Sequence, residues 1–203
     1  MSFLDQRSNA TVISVKPANS TVREFILFSR TARTDSNFTS LMDGGRLDVV
    51  YQCILMSIFS SHKHRDTKFH GILNGSPNPP LHLEVDGREL RDARVDEKTW
   101  EDILRKVLSG EAHPGIKLEK KSFQELVKEK GKVYVLEEKG MDISKVKFDK
   151  NPVFVLGDQV GLPKKDEKFA LRYGEKVSLG KGLYLSSSSI DIVNWWLDRK
   201  GIQ

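Results

Sequence analysis

Three short apolar stretches late in this chain each run into glycine, a residue type that lets backbone amides and carbonyls come close to a ligand. The middle one, "NPVFVLGDQVGL", places Gly157, Asp158 and Gly161 where the strand of Val153 to Leu156 stops. The others are "KVYVLEEKG" and "EKVSLGKG". A tight turn or a helix cap accounts for any one of these glycines. Three strand ends of the same kind point to a ligand cradle, because open α/β sheets bind ligands beyond the carboxyl ends of their strands. Neither G-x-G-x-x-G nor G-x-x-x-x-G-K-[ST] occurs. The expected ligand is therefore one that needs no pyrophosphate grip.

Other reactive residue types are sparse. Cys53 is the only cysteine, which excludes a disulfide framework and a Cys-rich zinc site and points to a reducing compartment. His62, His64 and His70 have neither a carboxylate-rich nor an HExxH spacing around them, so no metal site is expected. The 33 Lys and Arg against 28 Asp and Glu give a formal charge of +5, a mild lean towards polyanionic partners. No apolar run has the length of a membrane span, and "MSFLDQRSNATVISV" lacks the basic start and apolar core of a signal peptide. A cytoplasmic protein is expected.

The elements that must position these residues alternate. Residues 1–21 are rich in Ser, Thr, Asn and Pro and read as an extension in which "TVISV" is at best an edge strand; residues 22–203 read as one domain. Val22 to Phe28 is a strand, followed by a helix whose Leu47, Val50, Tyr51, Ile54, Leu55 and Ile58 keep the 3.6-residue period. "TKFHGILNG" is a strand, and "LHLEVDGRELR" reads as a hairpin-like pair about Asp86-Gly87. Asp96 opens a helix with Trp100, Ile103, Leu104, Val107 and Leu108 on one face, ended by Gly110. After the strand "IKLEK", Ser122 and Glu125 form a capping box, and serines open a final helix, "SSSSIDIVNWWLDRKG". Such alternation predicts an α/β fold with a mainly parallel sheet flanked by helices.

In chain order, "REFILFSR", "GGRLDVV", "DGRELR", "HPGI", "NPVFVLGD", "VSLG" and "YLSSSSIDIVNWWLDR" resemble the archaeal tRNA pseudouridine N1-methyltransferase family of the SPOUT superfamily, from Val22 to Arg199. The resemblance implies a C-terminal trefoil knot, a homodimer, S-adenosylmethionine (SAM) as cofactor, and methylation of pseudouridine in the T-loop of tRNA. It puts the cofactor among three loops, with Leu136 ending the first knot strand, Gly157 the second, and Leu179, Gly180, Lys181, Gly182, Leu183 and Tyr184 forming the third. Leu136 and Leu183 would face the adenine, and the amides of Gly180, Lys181 and Gly182 its polar edge or the ribose. Where the family pattern has His-Cys, this chain has Ser188-Ser189, so that Ser189 offers a hydroxyl and an N-cap instead of a sulfur.

On the target side, Arg46 and Asp48 begin a helix, where free amides and the dipole favour anions. Arg46 would hold a phosphate or the base carbonyl, and Asp48 would take up the N1 proton. Asp158 is a second carboxylate candidate, with a turn-fixing role as its alternative. Of Trp195 and Trp196, one is expected in the core or a dimer seam and the other exposed, where it could stack on a base. Two rival functions share these features: a ribosomal-RNA pseudouridine methyltransferase, and a non-catalytic RNA-binding module that keeps the knot fold.

Overall fold

The structure, a computed structural model, describes residues 22–60 and 63–202. The "TVISV" segment and His62 lie outside the described residues. In chain order the elements are β1 (Arg23–Ser29), α1 (Leu47–Ile58), β2 (Phe59–Ser60), β3 (Lys63–His64), β4 (Thr67–Leu73), β5 (Leu81–Asp86), α2 (Glu97–Leu108), β6 (Ile116–Glu119), α3 (Phe123–Lys130), β7 (Val133–Asp142), β8 (Val153–Gly157), α4 (Lys164–Ala170), β9 (Gly174–Ser178) and α5 (Ser186–Lys200). Seven strands form one sheet in the order β6-β5-β4-β1-β8-β7-β9, while β2 and β3 pair separately. The strands from β4 to β9 in that order run parallel, and β5 lies antiparallel between β4 and β6.

Side-chain alternation along β1 shows why helices cover both faces. Phe25 and Leu27 join a core with α1, α2 and α5, whereas Ile26 and Phe28 join a second core with α3 and α4. A central strand buried on both faces reads as a continuous apolar run, as "FILF" does. The predicted caps form: Asp96 accepts from Thr99 N at the head of α2, and Ser122 and Glu125 complete the capping box of α3.

Two local readings differ from the structure, and one helix went unread. No second strand follows Asp86-Gly87: β5 pairs with β4 and β6, and the Asp86 carbonyl accepts from the amides of Glu89 and Leu90 to close a turn. The alternation in "GRELR" is too short and polar to pair. Leu136 does not end its strand either; β7 continues to Asp142 through a register shift against β9 between Leu136 and Met141. The helix α4, in the charged "KKDEKFA", carries too few apolar residues for a periodicity to be seen.

From β9 at the sheet edge, the chain crosses back so that α5 packs on α1. Asn194 Nδ2 donates to Met56 O at 2.8 Å, and Arg23, buried at the start of β1, pairs with Asp198 at 2.6 Å. This return carries the first turn of α5 past the carboxyl end of β8.

Candidate functional site

The carboxyl ends of β8 and β9, the irregular middle of β7 and the first turn of α5 enclose a cleft. Its floor is the loop after β8. A β-carbon on Gly157 would lie 2.1 Å from Leu162 N and 2.2 Å from Gly161 C, so this glycine is required by the tight return of its own loop. Asp158 holds that return in place. Its buried carboxylate accepts from Arg30 N at 2.7 Å and Val160 N at 3.0 Å, and the Arg30 guanidinium donates to Gly161 O at 3.0 Å. With both oxygens engaged by backbone amides, Asp158 fixes the turn and joins it to the end of β1.

The walls come from the other two loops. Leu136 sits at the β7 irregularity and is followed along the wall by Glu137 and Glu138. Leu179, Gly180, Gly182, Leu183 and Tyr184 supply the facing wall, and Gly180 adopts φ 115° with open space where a side chain would stand. Ser178 Oγ accepts from Gly180 N at 3.2 Å and donates to its carbonyl at 3.1 Å, which tightens the start of this loop. Lys181 is exposed and is not among the lining residues.

Ser189 lines the cleft but does not cap α5. The N-cap is Leu185, and Ser189 N already donates to Leu185 O at 2.9 Å, one turn into the helix. The boundary lies earlier because Ser186 is itself helical, its hydroxyl donating to Gly157 O at 2.7 Å. Leu156 and Leu162, which read only as core, and Ser186, Glu137 and Glu138 are the lining residues that sequence reasoning missed. Their signals were slight: the first of four serines, and two acids before a glycine.

Arg46 and Asp48 are brought together, though neither lines the cleft. The Arg46 Nε and Nη2 donate to the two Asp48 oxygens at 2.9 and 3.0 Å. Arg46 is the α1 N-cap with φ 72°, so its side chain leaves the helix start sideways and makes no cap bond. Its pKa is raised first by the Asp48 bond, with the charge of Asp158 adding a smaller effect that marks the pair as a neighbour of the β8 loop. The turn before it is packed hard against the end of β1: a β-carbon on Gly45 would meet Thr31 O at 1.9 Å, and Thr31 Oγ1 donates to Gly45 O. Trp196 packs against the core; Trp195 is 53% exposed, with the Arg199 guanidinium 4.9 Å from its ring centre.

The chemistry of this lining can be compared with candidate ligands. Leucines 136, 156, 179 and 183 offer apolar surface to a flat ring, and the glycine loops offer backbone polar groups. Glu137 and Glu138 bring carboxylates, and no Lys or Arg is among the lining residues. That set suits an adenosyl group attached to a cationic sulfonium and is wrong for a pyrophosphate. His64, the described member of the "HKH" pair, packs edge-on against Phe59, away from His70.

Residues 22–202 match the sequence family described as "Putative SAM-dependent RNA methyltransferase". The chain is 34% identical over 193 residues to a tRNA (pseudouridine(54)-N(1))-methyltransferase of Methanocella arvoryzae, an alignment spanning 88% of this chain and 100% of the relative. A protein of the same name from Thermococcus kodakarensis is 35% identical over 197 residues, spanning 87% and 99%. Among solved structures, Archaeoglobus fulgidus Nep1 bound to S-adenosylhomocysteine superposes with a TM-score of 0.63 at 15% identity, covering 91% of this chain and 100% of that one, and so shares the fold.

Proposed function

This chain belongs to the tRNA (pseudouridine(54)-N(1))-methyltransferase family, and on that premise we propose that it transfers a methyl group from SAM to N1 of pseudouridine in the tRNA T-loop. The observation that carries the reading is the cleft formed by the ends of β8 and β9 and the irregular middle of β7, whose apolar walls, glycine-bearing loops and neighbouring acids match an adenosyl sulfonium.

When bound, SAM supplies an electrophilic methyl group on a positive sulfur. The chain's own contribution is placement. Leu136 and Leu183 would sandwich the base, and the Gly180 and Gly182 backbone would meet the ribose or the ring edge, with Lys181 holding the loop between them at the surface. Ser189 and Ser186 would present hydroxyls from α5, and Gly157 keeps the floor thin. Glu137 and Glu138 would balance the sulfonium charge.

Arg46 and Asp48 would serve the target base. In transfer, N1 of pseudouridine gains the methyl carbon as the carbon–sulfur bond breaks, and the N1 proton must leave. Asp48 would accept it once the Arg46 guanidinium turns from the carboxylate to an RNA phosphate or base carbonyl. Before RNA arrives, the two bonds between them keep both side chains in a fixed position.

The same reading extends to the assembly. Residues 22–203 would act as one unit whose C-terminal segment is threaded as the trefoil knot of SPOUT enzymes; the return of α5 across the β8 loop, fastened by Ser186 to Gly157, supports this. The exposed Leu183, Leu185 and Trp195 supply apolar surface for a homodimer seam. No helix among the described residues is long and apolar enough to cross a membrane, and the enzyme would work where tRNA is, in the cytoplasm. Incubation with methyl-labelled SAM and, in parallel, pseudouridine-bearing tRNA and ribosomal RNA tests the substrate. Label in tRNA is expected; label confined to ribosomal RNA would overturn it.

A further inference from the structure

On the face of the sheet covered by α3, a second cluster shares no residue with the cleft. His70 on β4 and His82 on β5 are both buried, with ring centres 5.1 Å apart. His70 Nδ1 lies 2.9 Å from His82 Nε2. Each ring's other nitrogen faces a carboxylate: His70 Nε2 is 2.7 Å from Glu24 Oε2, and His82 Nδ1 is 3.0 Å from Glu119 Oε1. An ionised carboxylate only accepts, so both outer nitrogens carry hydrogen. A neutral imidazole has one N–H, which leaves two lone pairs pointed at each other across the inner gap. That gap needs an electrophile, either a shared proton or a metal ion.

A third donor gives the gap the three-ligand set of a metal site. Glu84 Oε2 is 3.7 Å from His70 Nδ1, and the three donor atoms lie within 4.8 Å of one another. We propose that His70, His82 and Glu84 form a binding site for a zinc-class divalent transition-metal ion.

Tetrahedral zinc with bonds of about 2.0–2.1 Å sets its ligand nitrogens about 3.3 Å apart, so the pair need open only slightly. Two imidazoles and one carboxylate suit zinc better than magnesium or calcium, and three protein ligands leave the fourth position to water. Glu24 and Glu119 occupy the places of the outer carboxylates that fix the tautomer of metal-bound histidines. Lysines do not block the site. Lys130 pairs with Glu24, Lys121 with Glu119, and Lys68 with the other oxygen of Glu84, leaving Oε2 towards the histidines. The ion would pin β5 to β4, with β1 and β6 tied in through the outer carboxylates, and so fasten the antiparallel edge to the parallel block.

The test uses the full chain, stripped with a chelator and then titrated with Zn²⁺, with Co²⁺ as a visible probe of tetrahedral coordination. About one equivalent retained after desalting is expected, together with a melting temperature raised by roughly 5–10 °C at saturating Zn²⁺. His82→Gln should abolish retention. Glu119→Gln, at a half-exposed position that leaves the core intact, should weaken it about 10- to 100-fold. Absence of stoichiometric metal in the wild-type chain, or equal retention by Glu119→Gln and the wild type, would overturn the site. SAM binding by the stripped protein is expected to be unchanged, which keeps this outcome separate from the methyl-transfer reading.

Discussion

Gly157 lines the cleft, and its missing side chain is required by its own loop. Its backbone was expected to meet the ligand, yet a β-carbon there first strikes Gly161 and Leu162 of its own loop. Gly157→Ala is therefore predicted to destabilise the protein by about 1–3 kcal/mol as the loop shifts, and to weaken SAM binding with it; calorimetry on the variant, by melting and by titration, reads both. At the target side, Asp48→Asn keeps the size of the side chain but loses the proton acceptor and the charge facing Arg46. Turnover should fall about 100-fold while SAM affinity stays the same, as the proposed role of Asp48 on the base and not on the cofactor requires. Single-turnover rates and SAM titrations check this together. Gly180 was legible because a glycine at a strand end shows in one dimension, and Leu183 came from the family resemblance. Glu137 and Ser186 were not, since a strand irregularity and the true start of α5 decide where they face.

Among the elements, α5 is the one on which the cleft depends, and its far end is held by charge. Arg65 and Arg23 bring the Asp198 carboxyl below its ordinary value against the opposing effect of partial burial. A carboxyl depressed in the folded state stabilises it above the unfolded pKa, and that contribution is lost as pH falls through the folded value. Asp198→Asn should cost only about 1 kcal/mol near neutral pH, because the carboxylate is 44% exposed and solvent screens it. The difference in stability between variant and wild type should vanish in acid below the usual carboxylate range; denaturant melts at several pH values measure it. Helices with wide apolar stripes or side-chain caps, such as α2 and α3, were evident from sequence. The turn after β5 was not, because alternation in "LHLEVD" marks a strand without naming its partner, and β6 arrives thirty residues later. His82 went unnoticed as a neighbour of His70 for the same reason: register across β4 and β5 brings them together.

At the scale of the whole molecule, a parallel block with loops gathered at one end, a basic balance of charge and an exposed apolar rim at Leu183, Leu185 and Trp195 combine into an RNA-modifying enzyme. Lys and Arg contacts to phosphates release counterions, so tRNA affinity should fall steeply between low and moderate salt while SAM affinity scarcely changes, as filter binding and calorimetry would show. Fold class and a ligand cradle were legible at this scale because strand–helix alternation and glycine-ended strands are long-range patterns, while the identity of the cofactor came from the family resemblance. The central claim concerns one atom. In uridine N1 is the glycosidic nitrogen and cannot accept a methyl group, whereas pseudouridine exposes it as N–H. The direct measurement is nucleoside mass spectrometry after incubating the protein and SAM with two transcripts of one tRNA, differing only in pseudouridine or uridine at the T-loop target. N1-methylpseudouridine in the first and no methylation in the second is the predicted result; equal methylation of both, or a methyl group on any other atom, would contradict it.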